Sequence, residues 1–315
     1  MSRLLEKVGL QGLTEDCSIT PVPNSNLLLL QNIDIFTPIV DEPEIMGEIA
    51  ACNVTNDVFA MNVPEISGML VFLAMDTQMP MEVAEGIMNG VNRFMKKIKS
   101  KVTGGHTIYS EWPLIGGEAS GFVDKDKLLR KQGAKEGDKL ILTKPLGIQP
   151  IMAVYRILKD TPEILENYSI GKLIESVDFA IELMTTSNQP VVNTIHSYED
   201  FSFIHSMTDV TGFGLAGHTR EMLENTNLSA LIERVPSIKF AKEVSNDFNY
   251  PLDCCESTET AGGMLMAVDP TRVEDFSEKL TENHIPNWIV GLIDKKQPDL
   301  VKISDKIEFE EVSKN

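Results

Sequence analysis

At 315 residues the chain is long enough for about two domains. With 42% hydrophobic and 24% charged residues it has an ordinary globular composition, which excludes disordered and fibrous classes. Asp and Glu total 47 against 28 Lys and Arg, a net charge of −19 that opposes broad attraction to nucleic acid or anionic lipid. A polyanion could then be held only through bridging divalent cations, so clustered aspartates are the first feature to seek. Cysteines 17, 52, 254 and 255 form neither a CxxC pair nor a disulfide framework. No stretch approaches the ~18 apolar residues of a membrane helix, and residues 1–9 lack the apolar core of a signal peptide. A cytoplasmic protein with no membrane or nucleic-acid partner is expected.

In chain order, residues 24–35 read as a turn entering a buried strand. Pro43 then opens a helix over 44–56, with Ile45, Ile49 and Cys52 at helical spacing and Asp57 near its end. The apolar run 68–75 predicts a strand, followed by a helix over 81–101 whose apolar face is Val83, Ile87, Val91, Phe94 and Ile98. Thr103-Gly104-Gly105-His106-Thr107 breaks that helix, and 114–123 resumes as a strand. The charged, glycine-containing stretch 124–138 marks the expected domain boundary, dividing the chain into 1–135 and 136–315. Strands are then expected at 139–143, 228–235, 263–268 and 288–293, and helices at 150–158 and 174–196. Residues 207–217 read as a loop entering a helix, and Asp269-Pro270 as a further helix start.

Four acidic positions stand where hydrophobic elements stop: Glu15-Asp16, Asp34, Asp57 and Asp209. Each alone reads as a cap or turn residue, but aspartates from separate loops could together hold magnesium against a nucleotide. Thr208-Asp209-Val210-Thr211-Gly212-Phe213-Gly214 offers backbone N–H groups to an anion ahead of a helix, or is a simple tight turn. Gly104-Gly105-His106-Thr107 is either a phosphate cradle or a left-handed helix stop, and 258–263 carries the same ambiguity. His196, His205 and His284 read as surface or packing residues, and the methionines as core filling. No Ser-His-Asp order, HExxH or Walker loop is present, which leaves metal-assisted phosphoryl transfer from a nucleotide.

Taken together the motifs resemble the selenophosphate synthetase (selenide, water dikinase) family, and more closely its eukaryotic type. The carrying stretches are Asn32-Ile33-Asp34-Ile35-Phe36-Thr37-Pro38-Ile39-Val40-Asp41-Glu42-Pro43, residues 53–61, 104–107, Leu142-Thr143-Lys144-Pro145-Leu146-Gly147, and 208–218. The resemblance runs in order over residues 13–303. It implies an α+β fold of two α/β domains of the aminoimidazole ribonucleotide synthetase type, with the N-terminal domain forming a homodimer. It also implies ATP and Mg²⁺ as cofactors, selenide as substrate, and selenophosphate, AMP and phosphate as products. Carried over by position, Asp16, Asp57 and Asp209 would be metal ligands. Thr14, Glu15, Asp16, Asp34 and Asp57 would contact nucleotide, and Gly104, Gly105, His106 and Thr107 would form a phosphate loop offered across the dimer. The family's selenium-handling Cys or selenocysteine and its Lys precede the Asp16 region and have no counterpart in residues 1–12. No catalytic residue of that kind is therefore expected in this sequence, and the alternative reading is a non-catalytic nucleotide-binding paralogue or a truncated form lacking the selenium-handling arm.

Overall fold

Two helices packed backbone to backbone organise the first half of the molecule. The computed structural model describes residues 15–314. Strands β1 (Ser18–Pro21), β2 (Leu27–Phe36), β3 (Ile66–Met75), β4 (Val102–Tyr109) and β5 (Leu114–Asp124) form a sheet in the order β1-β2-β5-β3-β4. All neighbours are antiparallel except β3 and β4. Helices α1 (Pro43–Ala60) and α2 (Met81–Lys97) cover one face, where Leu73 and Ile115 line a cavity with Met46 and Ile87. Helix α1 is buried along nearly its whole length and apolar on several sides, from Met46, Ile49 and Ala50 to Val54, Val58 and Phe59. Such a helix needs partners all round. A Cβ on Gly47 would lie 2.0 Å from the Ile87 carbonyl oxygen, and one on Gly90 would lie 1.8 Å from that of Glu44.

The opposite sheet face is open. Leu27, Ile33, Ile35, Leu70, Ile108 and Phe122 are exposed, Ile33 to 67%. Pairing puts Ile33, Glu118, Leu70 and Gly104 in one row and Ile35, Gly116, Phe72 and His106 in the next but one. The intervening row contains Asp34, Gly117, Val71 and Gly105, and because side chains alternate along strands it faces α1.

The second half builds a six-stranded sheet in the order β11-β8-β10-β6-β9-β7 from β6 (Lys139–Leu142), β7 (Ile204–Asp209), β8 (Leu228–Ile238), β9 (Met264–Val268), β10 (Trp288–Lys295) and β11 (Val301–Val312). Only β11 and β8 run parallel. Its helices are α3 (Ile148–Asp160), α4 (Ile170–Thr185), α5 (Gln189–His196), α6 (Gly214–Leu223), α7 (Ala241–Phe248) and α8 (Val273–Glu282). Among the described residues no helix is long and apolar enough to cross a membrane.

Several expectations are corrected. The helix expected over 174–196 is two helices, because Pro190 lies in the first turn of α5 and cannot continue α4. Residues 204–209, expected in part as loop, form β7, whose Ser206 and Thr208 are buried and hide the strand pattern. The glycines at 104 and 105 lie in edge strand β4, not in a loop or a helix stop. Helix α2 ends earlier, with Lys99 at φ 58° supplying the left-handed turn. Charge-rich β11 was not anticipated, since Lys, Asp and Glu alternate there with half-buried Ile303, Ile307 and Phe309. His205 contacts Asp138 at 2.9 Å and His196 the Asn62 carbonyl at 3.1 Å, so both have partners inside the fold.

The α1/α2 crossing gives a test of sign. In an open helix Gly90→Ala would stabilise by about 1 kcal/mol, whereas forced separation of two backbones costs about 1–3 kcal/mol or more. The second effect is expected to win, lowering the urea midpoint. An unchanged or higher midpoint would show that the helices can part freely.

Candidate functional site

Three elements and the segment ahead of β1 deliver the acidic groups to one place between the two halves. Asp16 precedes β1, Asp34 lies on β2, Asp57 is in the last turns of α1, and Asp209 ends β7. One carboxylate oxygen from each of Asp16, Asp57 and Asp209 lies within 4.8 Å of the others. Asp34 accepts hydrogen bonds from Asn53 Nδ2 at 3.0 Å and Asn32 Nδ2 at 3.3 Å. A cleft of about 340 Å³ beside them is lined by Asp34, Asn53, Thr211, Gly212, Glu259 and Thr260, drawn from both halves.

Helix α1 reaches across the interface with a polar face one turn long. Asn53 Oδ1 accepts the Ala261 N–H at 2.9 Å, and Asn56 Nδ2 donates to the Gly262 carbonyl at 3.1 Å. Asn188 Nδ2 donates to the same carbonyl at 2.7 Å and to Asn56 Oδ1 at 3.1 Å. The Lys144 ammonium, fully buried, donates to the carbonyls of Leu183, Thr186 and Ala261 at 2.9, 2.6 and 2.6 Å. Glu259 accepts the N–H groups of Gly147 and Ile148 at the start of α3, at 2.8 and 2.9 Å. The loop 259–263 is thus fixed from both sides, and through the Val210 N–H bond to the Gly263 carbonyl, 3.0 Å, it sets the chain beside Asp209.

Electrostatics make the cluster expensive without a cation. Burial raises the Asp16 pKa to about 7, with Asp209 adding repulsion and Lys131 opposing it. Burial, then the charges of Asp209, Asp16 and Asp34, push Asp57 well above the carboxylate range. Asp34 is also raised, chiefly by burial. Asp16 Oδ2 and both oxygens of Asp209 are buried without a hydrogen-bond partner, a rare state for carboxylates. Three converging carboxylates, two of them with free oxygens, match the hard-oxygen donor set that Mg²⁺ takes, so the residues present fit that ion. Burial next to the same carboxylates drives the Cys17 thiol far above its usual pKa, which keeps it a packing residue and not a nucleophile.

Of the positions singled out in the sequence, Asp16, Asp57 and Asp209 converge and Asp34 adjoins them. Thr14 lies outside the described residues. Glu15 points away from the cluster, binding Arg130 at 2.6 Å and the Lys131 N–H at 3.1 Å. Gly104, Gly105, His106 and Thr107 lie on the exposed edge strand and not in the cleft of their own chain. Sequence reasoning missed Lys131, Asn53, Asn188 and Lys144. For Asn53 the signal was present, since it shares a helical face with Asp57 at i+4. Nothing local marks Asn188 or Lys131.

Residues 14–123 match the AIR synthase related protein, N-terminal domain, and residues 135–302 the AIR synthase related protein, C-terminal domain. A selenide, water dikinase from Methanococcus maripaludis is 38% identical over 306 residues, covering 96% of this chain and 90% of the relative. The selenide, water dikinase of Dictyostelium discoideum is 31% identical over 301 residues, covering 91% and 81%. Among solved structures, AaThiL complexed with AMPPCP and TMP superposes with a TM-score of 0.74 at 16% identity, covering 97% of this chain and 92% of that one. The HypE-HypF complex gives a TM-score of 0.73 at 16% identity, covering 96% and 95%. At such identities the structural likeness establishes the fold, two domains of the AIR synthase type.

The raised carboxyl pKa values fix a pH dependence. A group whose pKa is higher folded than unfolded contributes stability that is present below its unfolded value and lost as pH rises through its folded value. For Asp16 that window runs from about 4 to about 7, and Asp57 and Asp34 are shifted in the same direction. The metal-free chain should lose thermal stability over this range. Mg²⁺, which competes with those protons, should raise Tm more at about pH 8 than at about pH 6. Equal increments in calorimetry at both pH values would exclude binding at these carboxylates.

Proposed function

The chain belongs to the selenide, water dikinase (selenophosphate synthetase) family, and on that premise we propose that it uses ATP to phosphorylate selenide, giving selenophosphate, AMP and phosphate for selenocysteine biosynthesis in the cytoplasm. The observation that carries the reading is the convergence of Asp16, Asp57 and Asp209 with three buried, unpartnered carboxylate oxygens. Carboxylates cannot approach a triphosphate unless cations lie between them. An ATP analogue bound to the similarly folded AaThiL supports ATP as the nucleotide.

The products fix the bond changes. Both anhydride bonds of ATP break: one phosphoryl group goes to selenide and the other to water. Asp16, Asp57 and Asp209 would hold the Mg²⁺, which supplies charge neutralisation of the phosphates and of the phosphoryl group in transfer. Asp34 is held by Asn53 and Asn32 at the cleft wall, and the Thr211-Gly212 turn forms the opposite wall. The loop 259–263 keeps both walls in register through its bonds to α1.

The open sheet face is the natural dimer surface. Ile33, Ile35, Leu70 and Phe122 would bury against a second copy, and Gly104 and His106 share their face. Gly104, Gly105, His106 and Thr107 would then be offered to the partner's nucleotide, since they do not line their own cleft.

Phosphorus NMR of the chain with Mg-ATP under anaerobic reducing conditions tests the activity. Selenophosphate, AMP and phosphate signals should grow only when selenide is added, and Asp57→Asn or Asp209→Asn should slow them by about 10²-fold or more. ATP turnover without a selenophosphate signal, or full activity in both variants, would overturn the reading. For assembly, Ile33→Asp combined with Leu70→Asp should give a monomer in sedimentation velocity, while an unchanged dimer mass would place the interface elsewhere.

A further inference from the structure

Lys131 is the one buried cation that touches the carboxylate cluster directly among the described residues. Its side chain is 8% exposed, and its Nζ lies 2.7 Å from Asp16 Oδ1 and 3.0 Å from Glu221 Oε2 on α6. Burial works against its charge, but Asp16 and Glu221 more than offset that and hold its pKa above the usual lysine value. The segment that carries it is pinned as well. The Lys131 N–H donates to Glu15 Oε2 at 3.1 Å, Arg130 pairs with Glu15 at 2.6 Å, and the Arg130 carbonyl accepts the Met207 N–H at 3.0 Å.

Asp16 is consequently a carboxylate with two unlike ends. Oδ1 takes both the ammonium and the Thr208 hydroxyl, the latter at 3.1 Å, while Oδ2 is buried without a partner and free to meet an ion. An ammonium at 2.7 Å occupies the space and the charge that a second ion on Asp16 would need, and two such cations repel strongly in a buried site. Glu221, on the far side of Nζ, would be the other ligand of that excluded ion.

We propose that Lys131 is a tethered counter-cation of the carboxylate cluster, a positioning residue that turns Asp16 Oδ2 toward the metal and keeps a further divalent ion from bridging Asp16 and Glu221. It rests on the reading of Asp16, Asp57 and Asp209 as the metal site. Lys131 therefore sets how many ions the chain binds, a property that a lysine serving only to hold the fold would not change.

The test is a Mn²⁺ titration of the nucleotide-free full chain, counted by the loss of the aqueous Mn²⁺ signal in electron paramagnetic resonance. Lys131→Met should bind one more ion per chain than the wild type, Lys131→Arg should bind the wild-type number, and adding Glu221→Gln to Lys131→Met should remove the extra ion. An unchanged or smaller count in Lys131→Met, or an extra ion that survives Glu221→Gln, overturns the inference. Should Lys131→Met fail to fold, Lys131→Gln, which keeps a polar head without the charge, carries the same comparison. The site reading fails separately: the wild-type count would then be unaffected by Asp57→Asn.

Discussion

The burial of α1 is the constraint on which the rest of the molecule depends. Its apolar sides fill the first domain's core, and its crossing with α2 is so close that Gly47 and Gly90 leave no room for a methyl group. A helix held this tightly has no freedom to rotate, so the direction of its last turns is set by packing far from the site. Those turns carry Asn53, Asn56 and Asp57. The same rigid body thus supplies one carboxylate of the acidic cluster and two of the hydrogen bonds that dock the second domain's loop. Precision at the cleft follows from sequestration of hydrocarbon elsewhere.

The second theme is charge that the protein does not neutralise by itself. Asp16, Asp34 and Asp57 are all shifted toward the neutral form by burial, and Asp209 has no hydrogen-bond partner at either oxygen. Two buried lysines temper the field in different ways. Lys131 contacts Asp16 directly, whereas Lys144 spends its donors on backbone carbonyls, so its charge acts on Asp209 only from a distance. The carboxylates are held in place by the fold itself, and such preorganisation is what phosphoryl transfer requires of a site.

The two sheets contribute unequally. The second supplies Asp209 and the glycine-rich turn after β7. The first leaves apolar side chains on its outer face, in rows that include Gly104 and His106 of the edge strand. Glycine at 105 is needed on β4 because a Cβ there would lie 2.2 Å from the Val71 carbonyl oxygen.

Much of this was legible in the chain itself. Amphipathic and apolar runs located α1, α2, β3 and β5 because each buries much of its hydrophobic pattern, whereas β2, expected as a buried strand, buries only Leu28 and Leu30 and exposes Ile33 and Ile35; a strongly acidic composition with aspartates at element ends pointed to a cation-dependent polyanion site. What failed were elements whose pattern is written in polar residues: β7 with its buried Ser206 and Thr208, β11 with its charges, and glycine-bearing β4. Local sequence also could not assign partners. Asp16 lies 115 positions from Lys131, and Asn56 lies 132 from Asn188. Length, composition and periodicity pointed to about two domains of alternating strands and helices with acidic residues at element ends, while the α+β fold and the gathering of Asp16, Asp57 and Asp209 were what the family resemblance implied. Which oxygens stay free, which lysine stands against them and which sheet face remains open depended on long-range packing, because burial and orientation are properties of neighbours brought together only by the fold.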